Sequence, residues 1–185
     1  IAERNGVEMY DVYTGFKWIA NVMRENEGKK NYIGGGEESY GFLCEDFVRD
    51  KDAVSACVIL AEIAAWAKDQ GLSLYQLLQK IYVEYGFSKE KGISVVKKGK
   101  SGAEEIEAMM KKFRENPLTE IAGSKVTYFY DYSTLKGKDY AENETVTLDM
   151  PTTSNVLQYF TEDNTKVSIR PSGTEPKIKF YCEVH

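Results

Sequence analysis

The stretch that decides how the second half of the chain folds is VSIRPSGTEPKIKFYCEV, residues 167–184. A strand-like run enters, Pro-Ser-Gly-Thr at residues 171–174 favours a reversal of the chain, and a second strand-like run leaves. The outgoing run alternates with period two, which separates its polar side chains from its apolar ones, namely Lys177, Lys179 and Tyr181 from Ile178, Phe180 and Cys182. The stretch therefore predicts a β-hairpin with one apolar face.

The turn of this hairpin carries groups that bind anions. Backbone N–H groups around Gly173 and the hydroxyls of Ser172 and Thr174 can line a concave nest. Arg170 adds a planar guanidinium suited to two phosphate oxygens, and Lys177 can supplement its charge. The same residue types also occur in ordinary hairpin turns with solvated flanking charges, so the turn alone leaves both interpretations open.

The periodicity of the chain changes near residue 100. Upstream, three segments have helical spacing. They are TGFKWIANVMREN (14–26), DKDAVSACVILAEIAAWAKDQG (50–71) with Asp52 as N-cap and Gly71 as stop, and SLYQLLQKIYVEYG (73–86) with Ser73 as cap and Gly86 as stop. Residues 97–102 (KKGKSG) predict a linker or exposed turn, and the helix AEEIEAMMKKFREN follows. Strand-like segments rich in β-branched and aromatic residues then run to the end of the chain. We therefore expect a helix-rich part to about residue 100 and a smaller α+β part with an antiparallel sheet after it.

Composition excludes several classes of partner. The 185 residues carry 24 basic and 29 acidic side chains, a net charge of -5 without a basic stripe, so we expect no nucleic-acid partner. No apolar run approaches the roughly 18 residues of a membrane span. The three cysteines have no metal-type spacing, which favours reduced thiols in a cytoplasmic protein. The chain starts at Ile1 without an initiator methionine, and we expect a piece of a longer protein.

Four segments resemble one enzyme family. RPSGTEPKIKFY (170–181) resembles the C-terminal phosphate-binding loop of the α-D-phosphohexomutases, which include phosphoglucomutase and phosphomannomutase. GGEESYG (35–41) resembles the sugar-binding loop of that family, and YTGFKWIANVM (13–23) resembles the segment that precedes this loop. FVRDKDAV (47–54) fits the phosphoglucomutase branch best. The matches cover nearly the whole chain in the order of the family.

The resemblance implies a fold and a set of site residues. Residues 1–100 would form the C-terminal part of an α/β third domain with a mixed sheet and helices, and residues 101–185 a smaller α+β fourth domain. The expected sugar-binding residues are Glu37, Ser39, Gly15 and Phe16. The expected phosphate-binding residues are Arg170, Ser172, Gly173, Thr174 and Lys177.

The resemblance also implies a reaction for the parent protein. Family members interconvert hexose 1-phosphates and hexose 6-phosphates through a bisphosphate intermediate, using a phosphoserine and Mg²⁺. The expected ligands are therefore glucose 1-phosphate, glucose 6-phosphate and, for the full-length parent, glucose 1,6-bisphosphate. The Ser-His-Asn-Pro loop and the Asp-x-Asp-x-Asp metal loop of the family do not occur in this chain. We therefore expect no catalytic or metal-binding residue here, and an inactive fragment that works with the missing N-terminal domains.

Several points stay open at the level of sequence. The parent could act on mannose phosphates or on a pentose phosphate, and the chain could also be a phosphosugar-binding module without catalysis. The acidic residues around Asp50 and Asp52, which Arg49 and Lys51 interrupt, are interpreted as solvated charges and a helix cap. Closure of the fourth-domain loop over a bound substrate would need a hinge relative to the third domain. Residues 97–102 and 117–123 are candidates for this hinge.

Overall fold

The computed structural model describes residues 1–37, 40–97, 99–173 and 175–185. The chain divides into two compact units, Ile1–Tyr85 (unit 1) and Gly86–His185 (unit 2). Among the described residues, we find no helix with the length and apolar character needed to cross a membrane. The predicted fold class is confirmed, because helices dominate unit 1 and a helix covers an antiparallel sheet in unit 2.

Unit 1 is built mainly from helices. After a short 3₁₀ turn, its elements are α1 (Phe16–Glu25), β1 (Gly34–Gly36), β2 (Phe42–Cys44), α2 (Ala53–Asp69) and α3 (Leu74–Tyr85). Strands β1 and β2 pair in antiparallel fashion. Its small core contains the buried side chains of Phe16, Met23 and Leu43, with Ile19 and Tyr32 packed against them.

The predicted caps of the helices in unit 1 are confirmed. The Asp52 carboxylate accepts a hydrogen bond from the Ser55 N–H at 2.7 Å, which satisfies one of the unpaired donors at the start of α2. The Ser73 hydroxyl does the same for the Gln76 N–H at 3.2 Å. Gly71 follows α2 with φ 69°, a left-handed conformation that glycine adopts without strain.

Unit 2 consists of one sheet and one long helix. Its elements are β3 (Lys89–Val96), α4 (Gly99–Glu115), β4 (Glu120–Ile121), β5 (Ser124–Asp131), β6 (Lys136–Asp139), β7 (Glu144–Thr147), β8 (Leu157–Thr161), β9 (Lys166–Pro171) and β10 (Lys177–Val184). The strand order is β3-β10-β9-β8-β5-β6-β7, with β4 on β5. All of these pairs are antiparallel.

The core of unit 2 lies between α4 and one face of the sheet. Ile106 and Met110 of α4 are buried with apolar side chains of the central strands, which include Tyr159, Ile169 and Ile178. The predicted hairpin is confirmed as β9 and β10. Its apolar face is the one predicted, because Ile178 is fully buried and both Phe180 and Cys182 pack against the same core.

The division between the units falls earlier than the boundary predicted at residue 100. Strand β3, residues 89–96, belongs to unit 2 because it pairs with β10 along its whole length. Residues 97–102 were predicted as a linker or an exposed turn, but α4 begins at Gly99 and Gly102 is buried, so the prediction is wrong for residues 99–102. The second hinge candidate, residues 117–123, contains β4. Both candidates therefore lie inside unit 2 rather than at the division.

Candidate functional site

The loop that follows β1 positions Glu37. The Glu37 N–H donates to the Gly41 carbonyl at 2.8 Å and so closes the loop between β1 and β2. The Glu37 side chain is half-buried. Ser39, the other predicted sugar-binding residue of this loop, and its neighbour Glu38 lie outside the described residues.

Glu37 contacts a second predicted site residue, 22 positions earlier in the chain. Its Oε1 accepts a hydrogen bond of 2.8 Å from the Gly15 N–H. Gly15 has φ 119°, which an L residue rarely adopts, and it precedes α1. Within the described residues, Glu37 Oε2 accepts no hydrogen bond. The Gly15 N–H therefore holds the carboxylate in place through one of its two oxygens.

Phe16 has a different position from that of Gly15. Its side chain is only 4% exposed and belongs to the core of unit 1, with Met23 and Leu43. Phe16 therefore packs in the core and anchors the start of α1, next to Gly15.

Lys51, to which the sequence analysis assigned no role in the site, also lies beside Glu37. A Cβ at Gly41 would lie 2.8 Å from Lys51 Cδ and 3.0 Å from Glu37 Oε2, so both side chains border this glycine. The Lys51 ammonium pairs with the Asp50 carboxylate at 3.1 Å and lies 6.0 Å from the centroid of the Phe16 ring. The sequence feature that could have drawn attention to Lys51 is the resemblance of FVRDKDAV (47–54), which contains it, to the family.

In unit 2, the loop between β9 and β10 uses most of its described amides internally. The Ser172 N–H donates to the Lys177 carbonyl at 2.7 Å, and the Lys177 N–H donates to the Glu175 carbonyl at 2.7 Å. The Glu175 N–H donates to the Ser172 hydroxyl at 3.3 Å. Gly173 is exposed, and its N–H makes no hydrogen bond to a described residue. Among the described residues of this loop, the backbone N–H of Gly173 is therefore the donor that could bind an anion, while Thr174 lies outside the described residues.

Lys177 is paired within the same loop. Its ammonium lies 2.7 Å from the Glu175 carboxylate. The hydrogen bond from Lys177, followed by its charge, lowers the pKa of Glu175. The acidic residue in the middle of the predicted phosphate loop is thus directed to a lysine, and it uses part of the positive charge that Lys177 would offer to a phosphate.

Arg170 has a second cation beside it. Arg170 on β9 and Lys179 on β10 are directly opposite in the antiparallel register, so both side chains leave the sheet on the face opposite the core. Both are half-buried. Within the described residues, neither forms an ion pair with a carboxylate, and the Lys179 ammonium lies 5.8 Å from the centroid of the Tyr181 ring. This arrangement concentrates positive charge next to the loop.

The described residues offer no site of the kind that holds a metal ion. No group of three or more His, Cys, Asp or Glu side chains comes together in the described ranges. The three cysteines, Cys44, Cys57 and Cys182, are free thiols.

Two family models match the chain in the same order as the two units. Residues 1–85 match the model described as phosphoglucomutase/phosphomannomutase, alpha/beta/alpha domain III. Residues 93–185 match phosphoglucomutase/phosphomannomutase, C-terminal domain.

Proteins with similar sequences carry the name phosphoglucomutase. One from Staphylococcus haemolyticus is 37% identical over 185 residues, and one from Staphylococcus aureus is 40% identical over 184 residues. Each alignment covers 100% of this chain but 33% of the relative, so the chain spans about a third of the length of the curated relatives it matches.

A solved structure has a similar fold. It is the open form of the exocytosis-sensitive phosphoprotein pp63/parafusin, a phosphoglucomutase from Paramecium, which matches with a TM-score of 0.62 at 19% identity. The superposition covers 99% of this chain and 30% of that one. At this identity the likeness concerns the fold.

Proposed function

Because this chain belongs to the phosphoglucomutase/phosphomannomutase family and corresponds to its third and C-terminal domains, we propose that it is the substrate-recognition half of a phosphohexomutase. The full-length protein would interconvert glucose 1-phosphate and glucose 6-phosphate through a bisphosphate intermediate. The relatives that match the whole chain are named phosphoglucomutase, which favours glucose phosphates over mannose or pentose phosphates.

The observation that carries the proposal is the Arg170–Lys179 pair beside the exposed Gly173. Two like charges directly opposite each other on neighbouring strands repel and destabilise a sheet. A bound phosphate dianion between them would turn this repulsion into two charge-assisted interactions, with the Arg170 guanidinium able to bind two oxygens at once. This pair, rather than the already paired Lys177, would supply most of the positive charge.

Glu37 would recognise the sugar. Its Oε1 is held by the Gly15 N–H at 2.8 Å, so the carboxylate is oriented before the ligand binds. Oε2 would accept hydrogen bonds from sugar hydroxyls, which are donors that a carboxylate binds well. Preorganisation of this kind reduces the entropy lost on binding.

Turnover would require the rest of the protein. The chain contains neither a Ser-His-Asn-Pro loop nor an Asp-x-Asp-x-Asp loop. The described residues do not form a ligand set for the Mg²⁺ of the family, so we assign no step to that ion in this chain. Alone, the fragment would bind a phosphosugar without converting it.

The first experiment is a titration of the full-length protein with glucose 6-phosphate, in which isothermal titration calorimetry measures the affinity. Arg170→Ala removes a charge-assisted contact worth about 2 kcal/mol, which corresponds to a loss of about 30-fold in affinity. Lys136→Ala, which removes one positive charge from an exposed position on β6, is the control and should bind as the wild type does. Equal affinities of all three proteins would remove Arg170 from the phosphate site.

A second titration separates sugar recognition from phosphate recognition. Glu37→Gln keeps the acceptor for the Gly15 N–H but replaces the other oxygen with an NH₂ donor, so glucose 6-phosphate should bind more weakly while inorganic phosphate binds unchanged. Glu107→Gln, at an exposed position of α4, controls for the charge change. Binding of glucose phosphates without any turnover by the full-length protein would favour the binding-module alternative.

A further inference from the structure

Tyr40 combines an unfavourable backbone conformation with a bulky side chain. Its φ is 68°, in the left-handed region, where the Cβ of an L residue crowds the following carbonyl oxygen. Asparagine enters this region more readily, as the φ values of 54° at Asn143 and 63° at Asn164 illustrate. For a side chain as bulky as that of tyrosine, the conformation is an outlier that calls for an explanation.

Contacts of the Tyr40 side chain with unit 1 do not account for this conformation. The side chain is fully exposed, and among the described residues its hydroxyl forms no hydrogen bond and its ring packs on no other side chain. Tyr10, which is also exposed, differs, because its hydroxyl donates to Glu8 at 2.7 Å and accepts from Lys30 at 2.7 Å. The strain at Tyr40 is therefore not offset within the described part of the chain.

The position of Tyr40 in its loop is one that favours glycine. The Glu37 N–H donates to the Gly41 carbonyl at 2.8 Å, so three residues, 38–40, connect the two sides of the β1–β2 hairpin. Hairpin loops of three residues commonly end with a residue in the left-handed conformation, and glycine is the usual choice there. A tyrosine at this position conflicts with the local turn chemistry, and such conflicts concentrate at functional sites.

Tyr40 is also close enough to Glu37 to share a ligand with it. Residues opposite each other in an antiparallel pair lie about 5.5 Å apart between their Cα atoms, and the next residue adds about 3.8 Å. The Cα atoms of Tyr40 and Glu37 therefore lie within about 9 Å of each other. A hexose carries hydroxyls around its rim, which a carboxylate binds, and C–H groups on its two faces, which an aromatic ring can cover. The two side chains thus offer complementary contacts to one sugar ring.

We propose that Tyr40 is a specificity-determining residue whose ring packs against the pyranose ring of a hexose phosphate that Glu37 binds. The inference rests on the proposed function, in which Glu37 recognises the sugar. The contact would select hexose phosphates over inorganic phosphate, because inorganic phosphate has no apolar face. The bound sugar would supply the packing that the Tyr40 ring lacks among the described residues.

The test compares variants of the full-length protein by isothermal titration calorimetry. Tyr40→Asn removes the ring and introduces a residue that tolerates the left-handed conformation. We expect about tenfold weaker binding of glucose 6-phosphate, unchanged binding of inorganic phosphate and no decrease in the thermal midpoint of unfolding. Tyr40→Phe keeps the ring and should restore the wild-type affinity. In saturation-transfer NMR with irradiation of aromatic protons, the signals of the sugar C–H groups should weaken with Tyr40→Asn and persist with Tyr40→Phe.

Other outcomes would overturn the inference. A thermal midpoint lowered by more than about 2 °C in Tyr40→Asn would show that Tyr40 packs against another part of the protein. Equal losses of affinity in Tyr40→Asn and Tyr40→Phe would assign the effect to the hydroxyl rather than to the ring. Unchanged binding of glucose 6-phosphate by Tyr40→Asn, together with the loss expected for Glu37→Gln, would refute the Tyr40 contact alone. Unchanged binding by both variants would instead refute the sugar recognition assigned to Glu37, and the Tyr40 contact with it.

Discussion

Replacing Gly102 with alanine should disturb the predicted phosphate loop from a distance. Gly102 is a buried residue of the first turns of α4. A Cβ at this position would lie 2.6 Å from the carbonyl carbon and 2.7 Å from the carbonyl oxygen of Lys97. The Lys97 N–H donates to the Pro176 carbonyl at 2.8 Å, and Pro176 belongs to the loop between β9 and β10. Since the clash involves backbone atoms, the backbone at Lys97 has to move.

Two opposing contributions set the change in the free energy of unfolding caused by Gly102→Ala. Alanine improves helix propensity by about 1 kcal/mol relative to glycine. Overpacking of a close contact costs about 1–3 kcal/mol. The balance is a loss of about 0–2 kcal/mol in the free energy of unfolding. A displacement of Pro176 that weakens phosphate contacts by about 1.4 kcal/mol would also lower phosphate affinity by about tenfold.

The assay compares urea midpoints and phosphate affinity for two variants of the full-length protein. Gly92→Ala is the matched control, because Gly92 lies on β3, in the segment just before α4, and a Cβ there meets nothing within 4 Å. We expect the control to bind phosphate as the wild type does. A Gly102→Ala protein with unchanged stability and unchanged phosphate affinity would refute the argument that this contact supports the loop.

Three other changes test contacts within single units. Arg114→Ala removes the guanidinium that lies 3.1 Å from Oδ2 of the nearly buried Asp131 carboxylate, whose Oδ1 keeps its hydrogen bonds from Ser133, and urea denaturation should show a loss of about 2 kcal/mol. Asp52→Ala removes the N-cap of α2 and should cost about 1 kcal/mol in the same assay. A hydrogen bond from the Thr161 hydroxyl is the main cause that lowers the pKa of Asp163 to about 2. The ionised Asp163 carboxylate therefore stabilises the fold above its unfolded-state pKa, and this stabilisation is lost as the pH falls towards 2. Asp163→Asn should therefore flatten the dependence of the free energy of unfolding on pH below about pH 4. An unchanged pH dependence would contradict this.

Local patterns in the sequence were sufficient for the hairpin and the helix ends. The Pro-Ser-Gly-Thr turn and the alternation after Lys177 identified β9, β10 and the face that carries Ile178, because strand alternation depends only on neighbouring residues. Asp52 and Ser73 marked the starts of α2 and α3, since a capping side chain bonds to a backbone amide within three residues. The motifs at 35–41 and 170–181 were sufficient to identify the family.

Contacts between distant residues were decided by the tertiary structure. Strand β3 was missed because residues 89–96 are largely exposed, and their pairing depends on β10, about 90 residues later. The same dependence explains the contact between Glu37 and Gly15 and the position of Lys179 opposite Arg170. Periodicity shows which way a side chain leaves its own strand. Only the register between strands, which the packing of the whole unit sets, shows which charge lies beside it.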